Sequence, residues 1–414
     1  MAKIGKNLLY NGLLTCAQYI FPLVVFPYVT RVLGVANIGL VGFIDSIVTY
    51  FILFSMMGIS VVGVREVARC GKDVSKRSSV FFNLLTLHAL MTLLMLSSII
   101  VLTFTLDALK DDRALMGVGI CKLIFNLFLV EWFFRGVEDF KFITLRSLII
   151  RGSYVVAVFI FVRKPEDTLT YYFLTMLVVV VTAVVNMSFA SSLVSPRKWK
   201  LNIIPFLRPF FALGVYELMV SAYTTLNTAF LGFSTNDTEV GYYVTAMKLI
   251  SILSGVFVSF SGVMLPRMSA LISQGETDIF INYLKRCGLV VIGFTLPVIA
   301  VFEIFAPEVI HILAGQGYEG AVAPLRIMSP FLMVLGFEQL LMLQVLTPMG
   351  REKDVLYVTI VAALAGVVLN IVLVPRLGAV GSAWVWAAAE TLILIGAGVA
   401  SYRALYLQRP NSLL

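Results

Sequence analysis

Residues 170–193 read TYYFLTMLVVVVTAVVNMSFASSL, a stretch without one charged residue, fenced by Arg163-Lys164-Pro165-Glu166-Asp167 before it and Ser195-Pro196-Arg197 after it. A helix rises about 1.5 Å per residue, so roughly 20 apolar residues cross the ~30 Å hydrocarbon core of a bilayer. A stretch this long and this free of charge, stopped on both sides by charge and proline, reads as a membrane-spanning helix. Laid outward along the chain, the same ruler marks spans at 8–30, 37–58, 79–104, 114–134, 143–162, 209–231, 240–263, 286–305, 322–346, 355–374 and 380–402. With 170–193 these make about twelve transmembrane helices in an all-α integral membrane fold.

The totals agree. Of 414 residues, 60% are hydrophobic and 13% charged, where a soluble domain carries about 25% charged residues. The first apolar stretch runs to Pro27 with no small-residue cleavage site behind it, so it reads as a retained span and not a signal peptide. The gaps between spans are short and leave no room for a soluble catalytic domain, so no enzyme activity is expected. Function is expected within the bilayer or at its faces. The four cysteines show no CxxC spacing and there are two histidines, which argues against a metal site or a disulfide framework.

The formal net charge of +8 is explained by loops, not by nucleic acid. With the N-terminus inside, twenty-one of the 31 Lys and Arg residues fall on cytoplasmic segments, Arg65, Arg69, Lys72, Lys76, Arg77, Arg197 and Lys198 among them, and seven fall outside. This bias sets the orientation, and an even number of spans returns the C-terminus to the cytoplasm. A short repetition supports two parallel six-helix halves. Gly39 precedes Arg65, and Gly241 precedes Arg267, by the same interval. Division into an N-terminal bundle, 1–200, and a C-terminal bundle, 201–414, follows, with a solute pathway expected between them.

Ionisable residues inside spans cost about 2.5–3.5 kcal/mol on insertion scales and usually face a bundle interior or a cavity. Lys122, Arg151 and Lys248 are of this kind, and Arg31 ends the first span. Lys248 lies on a helical stripe with Ser251, Gly255, Ser259 and Gly262, and Lys122 shares a face with Asn126. The functional reading is a cationic cavity for an anionic solute; the plain one is snorkelling or pairing with carboxylates. Asp45, Glu217, Glu303, Glu338 and Glu390 are the acidic counterparts. Asp45 and Glu217 are candidates for coupling to a H⁺ or Na⁺ gradient, or for static pairing with the basic set. Asn7, Asn11 and Gln18 form a polar face on a first helix interrupted by Pro22 and Pro27, as expected of a cavity-lining helix.

The stretches Asn7-Leu-Leu-Tyr-Asn11-Gly12, Phe26-Pro27-Tyr-Val-Thr-Arg31-Val-Leu-Gly34, Arg135-Gly136-Val-Glu-Asp-Phe140, Gly241-Tyr-Tyr-Val-Thr-Ala246-Met-Lys248, Leu265-Pro266-Arg267-Met-Ser269 and Asn370-Ile-Val-Leu-Val-Pro375-Arg-Leu-Gly378-Ala-Val-Gly381-Ser-Ala follow one another in this order. In this order and spacing they resemble the bacterial polysaccharide flippases of the multidrug/oligosaccharidyl-lipid/polysaccharide exporter superfamily, over nearly the whole chain. The resemblance implies two pseudo-symmetric six-helix bundles forming a V around a central cationic cavity, with Arg31, Lys122, Arg151 and Lys248 as its candidates. It implies transfer of polyprenyl-diphosphate-linked oligosaccharide across the bacterial inner (cytoplasmic) membrane for O-antigen, capsule or exopolysaccharide synthesis, without a bound cofactor. The implied partners are the lipid-linked substrate, the lipid bilayer, and a polymerase and glycosyltransferases of the same pathway. A drug/cation antiporter of the same superfamily is the nearest rival. A membrane glycan polymerase or ligase would need a large outer loop that the sequence lacks.

Overall fold

A computed structural model describes residues 2–196 and 199–407; Arg197, Lys198 and Arg409 of the loop charges lie outside it, as do the side chains of Lys3, Lys6, Asn7 and Asn11. The described residues form helices joined by turns, with no strand among them. Among the described residues ten helices are long and apolar enough to cross a membrane, and a pair bent by 42°, Glu319–Met328 with Phe331–Leu346, brings the number to eleven when counted as one broken span.

One of the ten is too long to be a single crossing. The last helix is assigned over Glu352–Tyr402. Straight, it would extend about 75 Å, more than twice the hydrocarbon thickness. It is not straight. Gly378 adopts φ 55° and ψ −131°, three residues after Pro375. A side chain there would be strained by that φ and would meet the Glu239 carboxylate at 2.3 Å. Glu239 in turn accepts a hydrogen bond from Ala379 N at 2.7 Å, capping the helix that restarts there. Each half is one membrane length, as expected of the spans at 355–374 and 380–402.

The chain separates into two compact units, Met1–Ser221 and Ala222–Leu414. In the first, α1 (Ala2–Leu33) packs on α7 (Phe140–Phe161), α2 (Val35–Met56) on α4 (Val74–Thr105), and α5 (Arg113–Asn126) lies against both α2 and α8 (Thr168–Ala190). Assignment of α1 is continuous through Pro22 and Pro27, so the prolines that the sequence suggests as interruptions are absorbed inside it. Two short helices, α3 (Ile59–Cys70) and α6 (Glu131–Gly136), pack on each other. Phe81, Trp132, Phe133, Phe134, Ile59 and Phe210 form the apolar core beneath them.

The unit boundary lies beyond residue 200, the division expected from the sequence. The reason is packing. Helix α9 (Ile204–Ala222) closes on the break between α2 and α3, where Gly58 N donates to Phe210 O at 3.3 Å. A Cβ on Gly58 would lie 2.9 Å from that oxygen and 2.8 Å from Leu213 Cβ. The connection leading to α9 is held by α4. Arg77 Nη2 donates to Leu193 O at 2.7 Å, Ser78 Oγ accepts from Ser195 N at 2.9 Å, and Asn83 Oδ1 accepts from Asn202 N at 2.6 Å.

In the second unit α10 (Thr225–Ser234), α13 (Val322–Met328) and α14 (Phe331–Leu341) pack on α15 (Glu352–Tyr402). Helix α11 (Asp237–Ser273) packs on α13 and α14, and α12 (Thr277–Ala314) on α14.

Candidate functional site

The polar interior of the first unit has two levels. At the first, α2 carries Asp45, α5 carries Lys122 and α8 carries Tyr172. Lys122 Nζ donates to Asp45 Oδ1. Tyr172 OH donates to the same oxygen at 3.1 Å, and Lys122 Nζ lies 4.7 Å from the Tyr172 ring centroid. Gly119, one turn before Lys122, lets Val48 of α2 approach, since a Cβ there would sit 2.4 Å from Val48 Cγ2, and the Tyr172 phenol oxygen lies 3.3 Å from the same point. The Lys122 side chain is 13% exposed and that of Asp45 41%. The open end of the pair is therefore the carboxylate, and an anion reaching Lys122 must compete with it.

The second level is built on a broken helix. The sequence suggests a continuous span over 114–134; the structure ends α5 at Asn126 and starts α6 at Glu131, with Val130 left-handed at φ 31° and ψ 32°. Irregular backbone at membrane depth needs partners from elsewhere in the protein. Asn186 of α8 supplies one, donating Nδ2 to Leu129 O. Asn186 Oδ1 accepts from Arg146 of α7, which also donates to Glu131 Oε2 at 3.2 Å and Ser147 Oγ at 3.1 Å. Glu131 Oε1 accepts from Arg135 Nη2 at 2.7 Å and Nε at 3.0 Å. Arg146 is 6% exposed, and burying a guanidinium this far is tolerable only because carboxylate, amide and hydroxyl all receive it. Arg151, further along α7, lies in the field of both Glu131 and Arg146. Two guanidinium groups thus bind one carboxylate, a local excess of positive charge.

A cavity of about 690 Å³ opens beside this network, between the α2/α3 break, α4 and the α5/α6 break. Arg65, His88, Asn126, Glu131, Trp132 and Arg135 are among its lining residues. His88 Nε2 and Asn126 Oδ1 are buried there without a hydrogen-bond partner.

Among the basic candidates, Arg31 is exposed in the last turn of α1 with Nη1 donating to Pro27 O at 3.0 Å, and Lys248 is half-buried on α11. Ser251 is exposed and bonded to Met247 O at 2.8 Å, Gln18 is exposed, and Glu217 is half-buried on α9. Lys122 meets Asp45, Arg151 is half-buried on α7, and Asn126 lines the cavity. The side chains of Asn7 and Asn11 lie outside the described residues. Arg146 is not among the residues the sequence singles out; its place inside the span marked over 143–162 is the available signal. Sequence reasoning also misses Asn186, a lone amide in an uncharged span, and the cavity residues Arg65, His88 and Arg135.

The second unit's interior has a different character. Asn227 Nδ2 donates to Tyr243 OH and to Ser382 O, both at 3.0 Å, with all three residues fully buried. Glu338 of α14 and Glu390 of α15 are buried close to one another, and Oε2 of each has no hydrogen-bond partner. Glu303 accepts from Ser329 Oγ at 2.6 Å.

Residues 4–272 match the model of a family described as polysaccharide biosynthesis protein. A protein of Escherichia coli (strain K12) named "Putative O-antigen transporter" is 24% identical over 400 residues, 94% of this chain and 95% of that one. A multidrug resistance MATE family transporter of the MOP superfamily, solved inward-facing, superposes with a TM-score of 0.79 at 16% identity, covering 95% of this chain and 96% of the other. The lipid II flippase MurJ in an inward closed conformation gives 0.74 at 15% identity, covering 94% and 87%. The two solved structures establish a shared fold.

Proposed function

Since the chain belongs to the polysaccharide biosynthesis protein family, we propose that it is a flippase for polyprenyl-diphosphate-linked oligosaccharide. It carries this substrate from the inner to the outer leaflet of a bacterial cytoplasmic membrane by alternating access, with both termini in the cytoplasm, for O-antigen, capsule or exopolysaccharide synthesis. The observation that carries the reading is the set of basic groups inside the first unit: Lys122, Arg146 and Arg151 on membrane helices, with more guanidinium than carboxylate around Glu131. A diphosphate cannot enter hydrocarbon unaided, and guanidinium groups suit its oxygens. The prenyl tail needs no such help and stays in lipid. Arg31 and Lys248 extend the basic set in this reading, and Asp45, by holding Lys122, sets how readily that cation is released to the substrate.

Reconstituted protein with a fluorescent lipid-linked oligosaccharide tests this. Wild type should move the label between leaflets, and Lys122→Ala and Lys248→Ala should each slow it about tenfold or more while inserting normally. Wild-type rates in both variants, or no movement by wild type, would overturn the reading. The antiporter alternative draws on the buried carboxyls Glu338 and Glu390, since a cationic drug favours an acidic interior. Efflux of a cationic dye at the expense of glycan movement would favour it. Transport unchanged after proton and Na⁺ gradients are collapsed would remove ion coupling.

A further inference from the structure

We propose that the cavity between the two helix breaks of the first unit is a binding site for the sugar-phosphate junction of the substrate: one hexose ring with the phosphate attached to it. This rests on the flippase reading and says which part of the substrate the cavity holds.

The cavity is large enough. A hexose phosphate occupies about 200 Å³, well inside 690 Å³ and within the range of small-molecule sites. Its polar groups are of two kinds, placed apart. Arg65 and Arg135 are both close to half-exposed, at 45% and 42% of the side chain. Among the described residues Arg65 engages Glu66 through Nε, at 2.9 Å, and Arg135 engages Glu131 through Nε and Nη2. A guanidinium carries five N–H donors, so each keeps donors for a phosphate, whose oxygens accept in the fork geometry arginine offers.

The second kind is inside. His88 is 3% exposed with Nε2 unpaired, and Asn126 Oδ1 is likewise buried and unpaired. Each orphan costs on the order of 1–3 kcal/mol unless something fills it. A hydroxyl group donates and accepts. It therefore satisfies the imidazole nitrogen in either tautomer and the amide in either orientation, which a carbonyl or an ammonium cannot. A ring bearing several hydroxyls can serve both residues at once. The remaining wall is apolar, with Val64, Leu129, Val130 and the Trp132 indole, and the C–H face of a pyranose needs such a surface. Phosphate at the outer guanidinium groups, hydroxyls at His88, Asn126 and the Glu131 carboxylate, which accepts from a hydroxyl and repels a phosphate placed on it, and a ring face on Trp132 match the cavity's polar and apolar lining. A prenyl chain would leave the orphans unfilled, and free phosphate would leave the apolar wall bare.

The test is calorimetric titration of the full-length protein in detergent with three probes: glucose 1-phosphate, glucose and inorganic phosphate. Glucose 1-phosphate should bind about tenfold or more tighter than either fragment, the equivalent of one good hydrogen bond to a charged group. Arg65→Gln should lower its affinity toward that of glucose. His88→Leu and Asn126→Leu should each lower it toward that of phosphate, and Val64→Trp, which fills the cavity, should abolish it. If His88→Leu unfolds, Asn126→Leu and Val64→Trp carry the test, with melting temperature as the check on folding. Glucose 1-phosphate binding no tighter than phosphate, or unaffected by Asn126→Leu and Val64→Trp, means a water-filled cavity and overturns the proposal. The reconstituted assay separates the two readings. Wild-type flipping by the cavity variants sinks the cavity proposal alone; a wild type that binds glucose 1-phosphate but flips nothing sinks the flippase reading alone.

Discussion

The two units bury polar groups by opposite means. In the first, charge is matched by charge: Lys122 with Asp45, and Arg146 and Arg135 with Glu131. In the second, two carboxyls, Glu338 and Glu390, are buried close together, and Asn227, Tyr243 and Ser382 form a neutral hydrogen-bonded chain. The first unit thus receives its buried charges on partners of opposite sign, whereas the second keeps two carboxyls whose Oε2 atoms have no hydrogen-bond partner.

The strongest way to break this comparison is at Arg146. Arg146→Leu strips Asn186, Glu131 and Ser147 of a shared donor and loosens the Leu129 turn; unfolding in SDS-titrated micelles should show a loss of about 3 kcal/mol. A loss below about 1 kcal/mol would mean that the network is ornamental. The matching test in the second unit has two arms. Glu390→Leu removes the polar neighbour of a buried Glu338 and should cost about 2 kcal/mol, whereas Glu390→Gln, which keeps the shape and a group able to hydrogen-bond, should cost less than about 1 kcal/mol. Equal losses would mean that shape and not hydrogen bonding matters there. Gly63→Ala probes the platform under the cavity. The added carbon would sit 2.4 Å from the Trp132 ring, so a loss of about 1–2 kcal/mol is expected, with altered tryptophan emission as the local readout. The exposed Lys110–Asp107 pair is the baseline: Lys110→Ala should change stability by at most about 0.5 kcal/mol.

What the sequence made legible, and what it did not, follows from the same contrast. Span positions are a property of composition, so 170–193 and the rest could be read directly. The break at Gly378 was legible because Pro375 and Gly378 carry it locally. The break after Asn126 was not. Residues 127–130 are Leu, Phe, Leu and Val, with no proline or glycine, and the turn is held by Asn186 from a helix about sixty residues away. The division of 209–231 into α9 and α10 at Tyr223-Thr224 is hidden for the same reason. Lys122 and Asp45 were each visible as charges in apolar spans, but their pairing depends on how α2, α5 and α8 assemble. Arg146 was hidden by its place near a span end, where a positive charge ordinarily means a loop.

The seating of α9 on Gly58 also sets an order of events during synthesis. The turn at Met57-Gly58 is made early, yet the carbonyl of Phe210 that receives its amide lies some 150 residues later. When the span at 170–193 has left the ribosome, the five preceding crossings are in place and the first unit is still unfinished. Its α2/α3 corner waits for the opening helix of what the sequence would count as the other half. A nascent chain stalled before residue 210 should therefore be more open to protease at that corner than one released after residue 222.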